Sequence, residues 1–222
     1  RCVALQPLAL KALPSGIRAK TRVIYQSAPT PRGRGPGARS GRFEVLVAAH
    51  LRAVKDPLRA ARASRTLPPE SRVRVLHAGA ALSPDWALRA EAEMRRNPRY
   101  RWLGVLPPLS ARRRIAAARL LIVSSRLEGG PNVISEAAVN GVPVLATRVS
   151  GNVGLLGAGY GGYFAAGDTA GLARLLRRAE TDPTFLTRLR RQVRVQARLF
   201  TPRREREAWR RLLREMTAGG GG

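Results

Sequence analysis

Three observations predict an α/β fold built on a parallel sheet with helices on both faces. Short runs of β-branched and apolar residues alternate many times with segments of helical spacing from Phe43 onward, and such alternation is the signature of successive strand–helix crossovers. The most apolar of these runs, Leu120 to Ser124, leads directly into a glycine-containing loop and a further helix. The chain has 222 residues of which 44% are hydrophobic, enough for a sizeable core and too apolar for global disorder.

The elements follow in order. Arg22 to Ser27, rich in β-branched and aromatic residues, reads as a short strand. Ala28 to Arg42 holds three prolines and four glycines without apolar periodicity and reads as a linker. Residues 1–27 are therefore expected to end one domain, and residues 43–200 to form a second. Within the second, strands are expected at Phe43–Ala49, Val73–Ala78, Tyr100–Gly104, Leu120–Ser124, Val142–Thr147 and Tyr163–Ala165. Helices are expected at Pro57–Leu67, Pro84–Arg96 (with proline at its start), Leu109–Ala118 and Val133–Asn140. After Asp168 the pattern is helical to a C-terminal helix over 201–217, and 218–222 read as a disordered glycine tail.

Charge and cysteine content narrow the function classes. The formal net charge is +27, yet only Lys11, Lys20 and Lys55 are lysines and the arginines run along nearly the whole chain. A uniform arginine excess points to a compositional bias, so no specific nucleic acid is expected as partner, only weak polyanion binding at low salt. Cys2 is the only cysteine, which excludes an intramolecular disulfide and fits a reducing, cytoplasmic setting. The longest apolar run, Ile115 to Val123, is interrupted by Arg119 and is too short for an integral membrane segment. The chain begins at Arg1, and its only methionines are Met94 and Met216; the expectation is a sequence that starts inside a longer reading frame.

In open parallel sheets, ligands bind at the carboxyl ends of strands, near helix N-termini. There the sequence places Ser124–Gly141, SSRLEGGPNVISEAAVNG. A buried strand ends near Ser125, a tight loop follows through Glu128, Gly129, Gly130 and Pro131, and a helix opens around Asn132, a residue type suited to capping. Glycines allow close backbone approach, and the helix start offers unpaired N–H groups with a partial positive charge. The combination suits a diphosphate without a metal ion. Glu128 and Glu136 flank this cradle eight positions apart. With Glu136 about one turn into the helix, its carboxylate can point back to the loop and accept two hydroxyl hydrogen bonds, as a ribose diol would offer.

The segment SRLEGGPNVISEAAVNGVPVLAT resembles the signature of retaining glycosyltransferases with two facing Rossmann-like domains (the GT-B fold), the family 4-like group that includes glycogen- and sucrose-synthase-like enzymes. The shared features are Glu128, a second glutamate at Glu136, a small-residue helix, then Gly141, Pro143 and Val144 before a strand. GYFAAGDTAGLARLLRRAETDP, residues 162 to 183, resembles the next segment of that family, so the likeness covers about residues 43 to 200. It implies that this chain is the C-terminal, Rossmann-like donor half of a GT-B fold with the N-terminal half mostly missing, residues 1–27 being a remnant of the acceptor-side domain. It further implies that Glu136 holds the donor ribose and Glu128 contacts the donor sugar near the reacting carbon. The backbone from Gly129 to Val133 would line diphosphate and sugar, and the turn after Gly104 would meet the base.

AAHLRAVKDP, residues 48 to 57, sits where that family has Gly-Arg, four residues and Lys. Lys55 matches the lysine, His50 occupies the arginine position, and Arg52 follows two residues on. A cation here would stabilise the charge that develops on a leaving diphosphate, which makes Lys55 and Glu128 the candidate catalytic residues. For His50 a purely structural role is an equal alternative. Residues 150 to 157, SGNVGLLG, depart from the family's Gly-Gly-x-Pro-Glu. Together with HLRAVKDP, NPRYRWLG, LQPLALKALP and RVIYQSAP they resemble the selenosugar synthases of selenoneine biosynthesis, which implies a UDP-sugar as co-substrate, no further cofactor, and selenophosphate as acceptor. Selenophosphate is an anionic, soft nucleophile that needs little general-base assistance. No Asp-x-Asp is present and the only histidines are His50 and His77, so no dedicated metal site is expected. Three alternatives stay open: a hydroxyl-acceptor glycosyltransferase of the same fold, a degenerate UDP-sugar-binding domain without turnover, and a basic nucleic-acid-binding protein.

Overall fold

A computed structural model describes residues 1–29 and 41–218, with the side chain of Ala218 left undescribed. Two short strands, β1 (Cys2–Ala4) and β2 (Thr21–Val23), pair in parallel, joined by a 3-10 turn over Pro7–Ala12 and helix α1 (Ser15–Ala19). The main sheet holds β3 (Phe43–Ala48), β4 (Val73–Ala78), β5 (Tyr100–Trp102), β6 (Leu120–Val123), β7 (Val144–Thr147) and β8 (Tyr163–Phe164). All six run parallel in the order β5-β4-β3-β6-β7-β8.

The central strands are mostly apolar because helices cover both faces. Val45, Leu46 and Val47 of β3, all of β6 and all of β7 are buried. The covering helices are α2 (Arg59–Arg65), α3 (Pro84–Arg96), α4 (Pro108–Ala117), α5 (Asn132–Val139), α6 (Ser150–Leu156), α7 (Thr169–Thr181) and α8 (Pro183–Ala197). From β3 the chain winds outward through β4 to β5, then crosses back to place β6 on the other side of β3. Right-handed crossovers in the two directions put helices on opposite faces and leave a crevice between the carboxyl ends of β3 and β6. Residues at helix starts fix the last helices: Asp168 accepts from the Gly171 N–H at 2.8 Å and Asp182 from the Phe185 N–H at 2.9 Å.

Helix α9 (Pro202–Ala218) runs back to β2. The Arg22 Nε donates to Glu215 Oε2 at 2.9 Å, the Ser27 N–H donates to Glu205 Oε2 at 3.0 Å, and Leu212 is buried.

The expected strands and helices of residues 43–200 are all present, with ends shifted by a residue or two. The strand expected from Val142 starts at Val144 because Pro143 has no N–H to give the ladder. The strand expected over 22–27 is shorter and starts one residue earlier, at Thr21–Val23. Sequence patterning missed β1 and α1, which are only three and five residues long. It also missed α6, whose Gly151 and Gly154 are poor helix formers. Most of the expected linker (30–40) and of the expected tail (219–222) lies outside the described residues, and Ala218 belongs to α9 rather than to the tail.

Candidate functional site at the switch point of the sheet

The β3 exit forms one wall. Ala49 leaves the strand with its carbonyl bonded to the Nε2 of buried His77 at 2.9 Å, while His77 Nδ1 meets the Tyr100 hydroxyl at 3.0 Å. The imidazole thus donates from Nε2 and accepts at Nδ1, a neutral form, and its burial pushes the pKa down to about 4. His50 is exposed and its Nδ1 accepts from the Ala80 N–H at 3.0 Å, which ties it to the β4 exit. A 3-10 turn over Ala53–Lys55 follows, entered from Arg52 and closed by Asp56 in the left-handed region at φ 43°. Asp56 secures that turn by accepting from Arg59 Nε at 2.9 Å. Ser124, at the end of β6, donates its hydroxyl to the carbonyls of Lys55 at 3.1 Å and Asp56 at 3.0 Å.

The β6 exit forms the other wall. Its loop is tied to the first by the Arg126 N–H, which donates to the Val54 carbonyl at 2.8 Å. The Lys55 ammonium then meets Glu128 Oε1 at 2.6 Å, with side chains 18% and 9% exposed. A charge-assisted contact at that distance, shielded from bulk water, holds both groups in place before any ligand arrives. Helix α5 opens beyond the loop. Glu136, one turn in, lies 3.5 Å from Arg112 Nε of α4. Burial raises the Glu136 carboxyl above its ordinary range, against the opposing pull of the Arg112 guanidinium.

These walls enclose a pocket of about 420 Å³. His50, Arg52, Lys55, Glu128, Pro131, Asn132, Val133 and Glu136 all line it, so eight of the residues expected from sequence converge there. Gly104, Gly129 and Gly130 do not line it. At Gly130 the side chain of Leu5, from the β1 exit, occupies the space where a Cβ would stand, which would lie 2.7 Å from the Leu5 Cβ. Gly129 faces open space. Gly104 ends the β5 segment at φ 66° with its carbonyl bonded to the Gly79 N–H at 2.8 Å, and the next residues, Val105 and Leu106, reach the pocket instead.

Asn132 does not cap helix α5 as expected. Pro131 holds the cap position without a side-chain hydrogen bond, and Asn132 is already the first helical residue. Its Oδ1 is buried and, among the described residues, has no hydrogen-bond partner. The first-turn N–H groups of a helix also lack intrahelical acceptors. The α5 start therefore brings donors, one unmet acceptor and a partial positive charge to the pocket wall. Sequence reading missed Arg112, which stands in the run Arg112-Arg113-Arg114 with nothing local to single it out. It also missed Val105, Leu106 and Ala111, which give the pocket an apolar side.

Residues 34–199 match the family described as Glycosyl transferases group 1. The chain belongs to that family. No curated protein matches the chain. Among solved structures, this group 1 chain is similar to Anabaena HepE in complex with UDP and glucose, with a TM-score of 0.77 at 19% identity over 97% of this chain and 62% of that one. It is similar to the sucrose-phosphate synthase of Thermosynechococcus elongatus, with a TM-score of 0.78 at 20% identity over 98% and 58%. It is also similar to a glycosyltransferase from Rickettsia africae, with a TM-score of 0.78 at 15% identity over 95% and 63%. At these identities the likeness establishes the fold, and the chain spans about three fifths of the length of each structure.

Proposed function

We propose that this chain binds a UDP-sugar in the switch-point pocket and serves glycosyl transfer from it. The observation that carries the proposal is the convergence of the Lys55–Glu128 pair, the opening of α5 and Glu136 on one cavity at the carboxyl ends of β3 and β6. Lys55 and the α5 start offer positive charge to a diphosphate, Glu136 offers a carboxylate to a ribose diol, and the apolar side formed by Val105 and Leu106 suits a base. HepE has been solved with UDP and with UDP-glucose, which agrees with this reading. When the glycosidic bond breaks, the electron pair leaves with UDP, and Lys55 and the helix start are placed to stabilise that charge without a metal ion. Among the described residues no cluster of three or more metal-binding side chains is present. Calorimetric titration of the chain with UDP, UDP-glucose and uridine tests the proposal; absence of binding by all three would overturn it.

The finer reading is a selenosugar synthase, with selenophosphate attacking the anomeric carbon. Its support is the set of sequence segments HLRAVKDP, NPRYRWLG and SGNVGLLG. Selenophosphate is mixed with UDP-N-acetylglucosamine or UDP-glucose in excess chelator, and the product is followed by mass spectrometry. The chain is assayed alone and joined to a complementary N-terminal Rossmann-like half. A carbon–selenium product from the joined form is expected. Glycosylation of a hydroxyl acceptor with selenophosphate ignored would leave the donor reading and remove the selenium one, and activity that requires magnesium would contradict the metal-free cradle.

A further inference from the structure

The Lys55–Glu128 pair is held by groups that never touch the pocket. Buried Asn152, on α6, donates its Nδ2 to the Thr147 carbonyl at 2.9 Å and to the Thr147 Oγ1 at 3.0 Å. Thr147, the last residue of β7 and also fully buried, donates its hydroxyl to the Ser125 carbonyl at 2.5 Å. Ser125 begins the loop that carries Glu128. Further along that loop, the Glu128 backbone carbonyl lies against Gly151, the residue before Asn152, so closely that a Cβ at 151 would run into it. One short stretch of β7 and α6 therefore grips the loop at two points, by a hydrogen-bond chain at Ser125 and by close packing at Glu128.

The donors of this chain are all met and fix its direction, while the buried Asn152 Oδ1 has no hydrogen-bond partner among the described residues. Asn152 in particular can hold its place only as an amide: an acid there would set an acceptor against the Thr147 carbonyl. From this geometry we propose that Thr147 and Asn152 are positioning residues for the Lys55–Glu128 pair, with Gly151 as the seat that fixes where the Glu128 backbone lies. The proposed consequence for ligand binding rests on the donor-site reading above. The grip itself does not, because it concerns atoms already in contact.

Lysine chemistry separates the two. The chain has only Lys11, Lys20 and Lys55, and Lys11 and Lys20 are exposed while the Lys55 ammonium is pinned against Glu128. Limited acetylation of the folded chain, read by peptide mass spectrometry, reports the freedom of Lys55 with two internal controls. Thr147→Val removes the hydroxyl at nearly constant volume and should raise Lys55 acetylation roughly fivefold with Lys11 and Lys20 unchanged. Thr147→Ser should restore the wild-type rate. Gly151→Ala, which displaces Glu128 by sterics alone, should reproduce the Thr147→Val pattern. In parallel, Thr147→Val should weaken UDP roughly tenfold while uridine changes less than about twofold. An unchanged Lys55 rate in both Thr147→Val and Gly151→Ala would overturn the proposal. So would an equal rise at all three lysines, which marks general loosening. If Lys55 responds as expected while the wild-type chain binds no UDP, the grip stands and the donor-site reading fails.

Discussion

The β3 and β6 exits, taken together as the first wall of the pocket, and the start of α5, taken as its second, are built in opposite ways. On the β3 and β6 exits the hydrogen-bonding capacity is met from within: His77 between Ala49 and Tyr100, Ser124 on Lys55 and Asp56, Thr147 on Ser125, and Lys55 on Glu128 at 2.6 Å. At the start of α5 it is not. The helix has no side-chain cap, Asn132 Oδ1 is buried and unpaired, and Glu136 has Arg112 only at 3.5 Å while burial holds its carboxyl above the ordinary range. Buried polar groups in folded proteins are almost always paired; of the two buried side-chain acceptors without a partner among the described residues, Asn132 Oδ1 belongs to a residue of the pocket wall and Asn152 Oδ1 to one behind it. On the proposed reading the first wall is the rigid reference and the second is the side completed by binding. Four measurements press on that contrast.

The largest effect belongs to Lys55. Its removal deletes a cation from the diphosphate position and also leaves the Glu128 carboxylate facing the ligand's negative charge. Lys55→Ala is expected to weaken UDP more than about 100-fold and uridine less than about twofold. Lys55→Ala combined with Glu128→Ala should recover part of the loss, since the repelling carboxylate is then gone. Equal losses for UDP and uridine in the single variant would place Lys55 in the scaffold instead.

Next comes the rigidity of the first wall. The His77 pKa, pushed down from 6.5 to about 4, means that between those values the unfolded chain binds the proton and the folded chain does not. Stability from this group is thus complete above pH 6.5 and is lost as the pH falls towards 4. Urea unfolding at pH 7.5 and pH 5 should differ by about 2 kcal/mol from this source. His77→Gln should flatten that slope. A slope unchanged in the variant would show that His77 does not hold the β3 exit in the neutral form described.

The contrast also explains what the sequence disclosed. The sheet was legible because strands buried on both faces are mostly apolar, as β3, β6 and β7 are. Lys55 was legible because lysine is rare in an arginine-rich chain, and Glu128 and Glu136 because they bracket a glycine loop between a strand and a helix. Arg112 was not, because an arginine in a run of three carries no local mark of the carboxylate it will meet from another helix. Thr147 and Asn152 were not, because their role exists only once β7 and α6 are folded against the β6 exit. Gly129 and Gly130 were read as cradle residues from their place in a loop between a strand and a helix. The bare Cα of Gly130 also admits Leu5, a contact 125 positions away in sequence that the local pattern does not disclose.

On the second wall, Glu136→Gln keeps the shape and one acceptor oxygen but removes the charge. It should weaken UDP and uridine alike by about tenfold, because the ribose is common to both. This pattern is the reverse of that expected for Lys55, and the two variants together divide the pocket into a phosphate side and a ribose side. A Glu136→Gln loss confined to UDP would move Glu136 to the phosphate side and remove the division.

The smallest effect, and the sharpest on the nature of the second wall, is expected from Arg112. Two influences act on the Glu136 carboxyl: burial, the larger, raises its pKa, and the Arg112 guanidinium lowers it. If the ionised carboxylate receives the ribose hydroxyls, uridine affinity should be constant at neutral pH and fall as the pH drops through the Glu136 pKa, above the ordinary 4.5. Arg112→Ala removes the lowering influence and leaves burial in place, so the fall should begin at a higher pH. At pH 8, where the carboxylate is ionised in both proteins, the variant should differ from wild type by less than about threefold, since a partly exposed pair at 3.5 Å contributes little by itself. The measurement is uridine affinity by calorimetry from pH 8 to pH 5 in the two proteins. An inflection shifted upward with little change at pH 8 identifies Arg112 as the group that keeps Glu136 charged. A loss of the same size at every pH would mean that Arg112 touches the ligand itself, and the second wall would then present a cation as well as a carboxylate to the ribose.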